Sequence, residues 1–351
     1  MKLTVTPFGS SAGSLYRFDS DTGTTLTVTD LGAAITSIVV PDRDGRPVDV
    51  ALGYASAQGY ETNVAAYGAT VGRFGNRIRD AELPLPDGIH LLEANEGPHA
   101  LHGGPQAYFR HRWQARPTHG DEPSVTFRLV SPDGDQGMPG QADVEVTYSV
   151  TTDNAVMIRY HAVADRDTVF NLTNHSYFNL DGHDAGLVDG HLVRLDCDRF
   201  TPIDRAFIPT GEIRDVAGTA LDFRRAKPIG RDVDGDDEQV VVGNGYDHNY
   251  VINSPDVTKP FARVESPTTG IVLEVATDLP GVQFYGGNNM GSGALEKGEA
   301  PYVRRGAFCL ETQYFPDTPH HPNFPSCLFR AGEPFASTTV FRFTVAGDAT
   351  I

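Results

Sequence analysis

The chain has 351 residues, 39% hydrophobic and 21% charged, proportions that supply a sizeable core and leave one large all-β domain or two ordinary ones open. Its 28 basic and 46 acidic side chains give a formal net charge of −18, a field that repels nucleic acid and anionic membranes and disfavours phosphorylated ligands. Three scattered cysteines, Cys197, Cys309 and Cys327, form neither a disulfide framework nor a zinc motif, and fit a reducing compartment.

MKLTVTPFGS lacks an apolar signal core, and no run approaches the ~20 apolar residues of a membrane span. The cytoplasm is the expected location, with neither membrane nor nucleic acid as a partner. The dominant period along the chain is two, so strands are expected nearly throughout. AAITSIVVP and PVDVALGY flank Asp44-Gly45, a dipeptide suited to a tight hairpin. Helical signals are few and short; the best is SAQGYETN, with Ser56 in the N-cap position.

GATVGRFGNRI, residues 68–78, has glycines but no Lys-Ser/Thr ending, so it is no phosphate loop. Its Asn76 and Arg77 pair a neutral amide with a rigid five-donor fork, a combination suited to hydroxyl groups; read alone, the segment is more readily a structural turn. In NEGPHALHGG, Gly103 and Gly104 permit close backbone approach to a ligand, and His102 stands just before them. Val156, Ile158, Tyr160 and Ala162 alternate as a half-buried strand.

NLTNHSYFNL, read as a strand, places Asn171, Thr173, His175 and Tyr177 on one face. Burying such a polar array without partners is costly, so a wet cleft is expected there. His175, His183 and His191 recur every eight residues, which is no metal-ligand spacing. RDVDGDDEQ, residues 231–239, reads as a flexible acidic excursion and lacks the ligand pattern of a calcium loop. In GYDHNYVI, Asp247 is placed to accept bonds from adjacent hydroxyls, with Tyr246 or Tyr250 as a stacking face.

FCLETQYFPDTPHHPNFPS sets Cys309, Glu311 and Gln313 on one strand face. A glutamate inside an apolar strand is rare unless paired or functional, and partial burial raises its pKa toward that of a general base. Thr339, Phe341, Phe343 and Val345 mark a last half-buried strand. No linker, low-complexity tract or repeat divides the chain, so one domain over 1–351 is expected.

In this order the segments strongly resemble the galactose mutarotase (aldose 1-epimerase) family, from about Gly68 to Ser326; NLTNHSYFNL, GYDHNYVI and ETQYFPD are too long for chance agreement. The resemblance implies the all-β galactose mutarotase-like β-supersandwich with few short helices, and an active site in an open cleft across one sheet. It places the proton donor at His175 in TNHSY and the base at Glu311 in LETQ. It places sugar contacts at Asn76 and Arg77 in GNRI, His102 in LHGG, Asp247 in GYDHN and Gln283 in GVQFY, with Tyr177 lining the site. The implied reaction interconverts the α and β anomers of a free aldose such as galactose or glucose, with no metal or other cofactor and a small aldose as partner; it fixes no oligomeric state. With carboxylates such as Asp247 close by, His175 is expected to be protonated near neutrality, so that the acid limb of a pH profile reports Glu311 and the basic limb His175. Two positions depart from the family pattern: Gly75 stands for an expected alanine, and His320 for an expected asparagine.

A non-catalytic carbohydrate-binding protein on the same fold has no use for both His175 and Glu311. A sugar-phosphate epimerase needs a basic cluster to grip phosphate, and a glycan-cleaving enzyme a carboxylate pair. Neither stands out in the sequence.

Overall fold

The computed structural model describes residues 1–9, 13–291 and 296–347. Its architecture is all-β. A nine-stranded sheet runs from the edge strand Gln114–Thr118, through Ala142–Val150, Ala155–Ala164 and Phe335–Val345 at its centre, to Lys227–Pro228 at the far edge. One five-stranded sheet is built from the N-terminal residues, Lys2–Phe8 to Pro47–Asp49. A second holds Asp247–Val251, Gly281–Tyr285 and Cys309–Gln313 side by side. Among the described residues no helix is long and apolar enough to cross a membrane.

Side-chain alternation drives the layering. Val156, Ile158, Tyr160 and Ala162 are all buried while Arg159 and His161 on the opposite face are exposed. These residues join one apolar cluster with Phe18 and Leu26 of the N-terminal sheet and Phe284 and Leu310 of the second five-stranded sheet. Burying surface on that scale, at roughly 25 cal/mol per Å² of apolar area, is what orders the chain. In the last strand Thr339, Phe341 and Phe343 are buried as expected, but so is Val340 on the other face, against Ala155 and Ala276. A central strand is covered where an edge strand is not.

The expected hairpin forms between Ala34–Pro41 and Pro47–Asp49. Its loop is longer than the dipeptide implies: Asp42 Oδ1 accepts the amides of Asp44 and Arg46, each at 2.8 Å, and only then does Gly45 turn at φ 77°. The helix Ala57–Thr62 forms where SAQGYETN predicts it, although the Ser56 side chain makes no capping bond. The acidic stretch 231–239 is not a loose excursion. Asp237 caps a second short helix, Glu238–Val242, by accepting from the Gln239 and Val240 amides, and Asp232 pairs with Lys227 at 2.7 Å. An aspartate that stands before apolar residues is a helix start as well as a loop residue.

Two small pairings carry distant segments to the second five-stranded sheet. Arg77–Ile78 pairs with Ala100–Leu101, which puts GNRI against LHGG. Thr173–His175 pairs with Ala69–Val71, and Phe178 bridges Phe308 one residue ahead of the strand Cys309–Gln313. The start of the GNRI segment is anchored by Arg73, whose buried guanidinium donates to Pro139 O and Ser131 Oγ at 2.7 Å and to Thr168 Oγ1 at 3.2 Å.

Candidate active site

A cleft of about 630 Å³ opens over the strands Asp247–Val251, Gly281–Tyr285 and Cys309–Gln313, and all eight candidate residues line it: Asn76, Arg77, His102, His175, Tyr177, Asp247, Gln283 and Glu311. The floor follows from strand register. Gln283 lies opposite both Asn249 and Glu311, so these side chains share one face, while Val282, Phe284 and Leu310 turn into the core. Segments from the first quarter of the chain and from residues 173–177 form the walls.

At the deepest point His175 Nε2 stands 3.6 Å from Glu311 Oε2, with the residues only 6% and 2% exposed. Glu311 Oε2 has no hydrogen-bond partner among the described residues, so its lone pairs are free for a ligand. Tyr177 stacks on the His175 ring (centroids 4.9 Å apart, 18° between planes), and His102 meets it edge-on at 5.2 Å. Cys309 Sγ lies 3.6 Å from the second ring nitrogen, Nδ1. The imidazole is held on three sides.

Burial governs the protonation of this pair. It pushes the Glu311 carboxyl well above the usual carboxylate range; the Asp247 charge adds to the rise and the Arg77 guanidinium opposes it. It pushes His175 down to about 4. The expectation that nearby carboxylates keep His175 protonated near neutrality is therefore corrected. Desolvation of a fully enclosed imidazole lowers its pKa while burial raises that of the carboxyl, so within the pair Glu311 holds a proton more tightly than His175. Burial also lifts Asp247, against Arg77 and a hydrogen bond from Gln283.

The polar residues of the cleft floor and wall are held by one another. Gln283 Nε2 donates to Asp247 Oδ1 at 2.7 Å. Arg77 forms a bidentate pair with Glu96, Nε to Oε2 at 2.6 Å and NH2 to Oε1 at 2.8 Å, and lies over the Phe207 ring at 5.0 Å. Glu96 and Tyr285 also line the cleft, and neither was singled out from the sequence. Glu96 was within reach, because it is the one carboxylate in NEGPHALHGG.

Two expectations need correction. Tyr246 and Tyr250 offer no stacking face, because their hydroxyls donate to Ala220 O at 3.2 Å and Leu221 O at 3.1 Å within the core. Asp247 faces the cleft, so its neighbour at 246 and the residue at 250 must face away; Tyr177 and Tyr285 supply the aromatic wall instead. Asn171 and Thr173 do not reach the cleft either. The strand is only Thr173–His175, and Asn171 binds Gly75 O at 3.0 Å and Tyr314 O at 3.2 Å as a buried brace. His320, one of the departures, is spent on Asp317 Oδ1 at 2.6 Å and does not line the cleft. At the other, Gly75, a Cβ would come to 3.0 Å from Thr173 Cγ2, so the glycine fits a tight approach.

His102, His175 and Glu311 offer potential ligand atoms within 4.8 Å of one another, a spacing that invites a metal reading. The tautomer of His102 argues against it. Its Nδ1 accepts the Asn76 amide at 3.1 Å, and burial holds the ring neutral, so the proton sits on Nε2. His102 thus presents an N–H to a ligand oxygen rather than a lone pair to a cation.

A family model described as aldose 1-epimerase matches residues 14–342. The galactose mutarotase of Bos taurus is 38% identical over 340 residues, covering 97% of this chain and 96% of its own. The aldose 1-epimerase of Escherichia coli (strain K12) is 37% identical over 347 residues, covering 97% and 99%. Among solved structures, an aldose epimerase homologue from C. elegans superimposes with a TM-score of 0.88 at 30% identity, covering 96% of this chain and all of its own.

Proposed function

Because the chain belongs to the aldose 1-epimerase family and carries its galactose mutarotase-like β-supersandwich, we propose that it interconverts the α and β anomers of a free aldose such as galactose or glucose, with His175 and Glu311 moving the protons. One observation carries the reading: an acid–base pair 3.6 Å apart, buried at the floor of a cleft whose other polar groups suit hydroxyls.

The chemistry needs one proton taken and one given. The sugar's C1 hydroxyl donates into Glu311, whose free Oε2 is its natural acceptor. That bond favours the ionised carboxylate and passes the pair's proton to His175. Glu311 then takes the O1 proton while His175 gives its own to the ring oxygen O5, and the C1–O5 bond breaks. The open-chain aldehyde turns about C1–C2, and the reverse transfers close the ring on the other face. No electrons change hands, and the pair ends with the one proton it began with. Each positioned acid or base is typically worth roughly 10²- to 10⁴-fold.

The cleft also discriminates between the rival readings. A phosphate-gripping site wants a cluster of unpaired cations, yet Arg77 is clamped by Glu96, which leaves Arg110 at the rim as the one other Arg or Lys among the described lining residues. A pure binding site has no need of a buried carboxyl beside an imidazole. Polarimetry tests the proposal: enzyme added to freshly dissolved α-galactose or α-glucose should speed the approach to the same final rotation. No acceleration with any of several aldoses refutes it.

Two further outcomes are expected. Asn76→Ala and Asp247→Asn should raise KM on the order of ten- to hundredfold, the worth of a hydrogen bond to a charged or buried partner. The fall in kcat should be smaller, since contacts away from C1 act alike in ground and transition states. A large fall in kcat at unchanged KM would move those residues into the chemical step. Prolonged treatment with a chelator should leave the rate unchanged, because the His102 Nδ1 lone pair is taken up in accepting the Asn76 amide. Loss of activity that one added metal restores would overturn this.

A further inference from the structure

Beneath the cleft floor lies Gln313, fully buried and absent from the cleft lining. It sits two residues beyond Glu311 on the same strand face. Its Nε2 donates to Asn249 Oδ1 at 3.1 Å and to Gln283 Oε1 at 3.4 Å, and its Oε1 accepts from Asn76 Nδ2 at 3.5 Å. Across the strand pair it faces Gly281, where a Cβ would come to 2.7 Å from Asn249 Oδ1. The missing side chain leaves room for the amides to meet.

Apart from the branch to Asn249, these bonds form one directed chain. The Arg77 amide donates to Asn76 Oδ1 at 2.9 Å, Asn76 Nδ2 to Gln313 Oε1, Gln313 Nε2 to Gln283 Oε1, and Gln283 Nε2 to Asp247 Oδ1. Both ends are fixed by chemistry. A backbone N–H can only donate, and a carboxylate can only accept. Every carboxamide between them therefore has one orientation that leaves no clash, and aligned bonds of this kind strengthen one another. The orientation decides what the sugar meets: spare N–H groups from Asn76 and Gln283, and the second carboxylate oxygen of Asp247.

Resting on the mutarotase reading above, we propose that Gln313 is a positioning residue that sets the donor–acceptor polarity of the sugar-binding floor and joins its two halves, Asn76–Arg77 and Gln283–Asp247. It touches neither the sugar nor the reacting atoms, so its loss should be felt in binding rather than in proton transfer. In Gln313→Met, the same length without polar atoms, Asn76 and Gln283 lose their common partner and turn freely.

The experiment measures KM, kcat and thermal melts for galactose turnover by wild type, Gln313→Met and Gln313→Glu. Gln313→Met should raise KM about tenfold and leave kcat within about threefold. In Gln313→Glu a buried carboxyl that keeps its proton supplies one donor and one acceptor in place of the amide. Its KM should lie near wild type at about pH 5 and climb toward the Gln313→Met value by about pH 9, more steeply than in wild type. A Gln313→Met protein with wild-type KM and only a lowered melt overturns the proposal, as does a fall in kcat at unchanged KM. If that variant does not fold, Gln313→Glu decides: a KM that tracks wild type at every pH overturns the proposal. Absence of turnover in wild type itself would sink the functional reading instead.

Discussion

Glu311→Gln is expected to lower kcat on the order of 10³-fold, and His175→Asn by a similar factor, within the range for a positioned acid or base. Neither substitution changes the shape of the floor much. Glu311 Oε2 has no hydrogen-bond partner to lose, its ionisable neighbour being His175 Nε2 at 3.6 Å, and the His175 ring lies among Tyr177, His102 and Cys309. The double variant should be little worse than either single one, because residues that act as a unit are strongly non-additive. Stability moves the opposite way. A carboxyl whose folded pKa is raised binds more protons folded than unfolded, so its stability contribution is full at low pH and is lost as pH rises through the folded value. Glutamine removes that loss, and Glu311→Gln should melt at or above wild type at neutral pH. A folded Glu311→Gln protein with near-wild-type turnover on several aldoses would remove the base from the mechanism.

The sequence made the chemistry more legible than the packing. The segments NLTNHSYFNL, GYDHNYVI and FCLETQ name His175, Asp247 and Glu311, and alternation within each strand separates cleft from core. Applied strictly, that rule would also have turned Tyr246 and Tyr250 inward, since neither shares the parity of Asp247. The role of Glu96 depends on Arg77–Ile78 pairing with Ala100–Leu101, a contact between two-residue strands too short to leave a periodic signal. Gln313 was placed on the right face, yet its amide chain spans residues from 76 to 313 and exists only once three strands and a loop converge. The proton's location was the hardest to read. Sequence shows which carboxylates accompany a histidine, but whether attraction or desolvation wins depends on how completely the ring is enclosed, and here enclosure wins.

That reversal leads to the second large effect, on pH dependence. The profile of kcat/KM should be bell-shaped, falling about tenfold per pH unit beyond each limb, because activity follows the form of the pair that holds one proton. Its two apparent pKa values belong to the pair, whichever partner carries the proton at a given moment. The directions nonetheless assign the limbs. With His175 pushed down to about 4, the second proton to arrive lands on the imidazole, so the acid limb tracks His175. With Glu311 pushed up, the last proton to leave comes from the carboxyl, so the basic limb tracks Glu311, the opposite of the order expected from ordinary side-chain values. The Asp247 charge adds to the rise of Glu311, so Asp247→Asn should move the basic limb to lower pH. A nitrogen-15 NMR titration of the empty protein settles the order directly: the His175 ring should stay neutral down through the plateau and gain its charge along the acid limb. A His175 ring that instead loses its charge along the basic limb would restore the ordinary order and show that the carboxylates around it outweigh its burial.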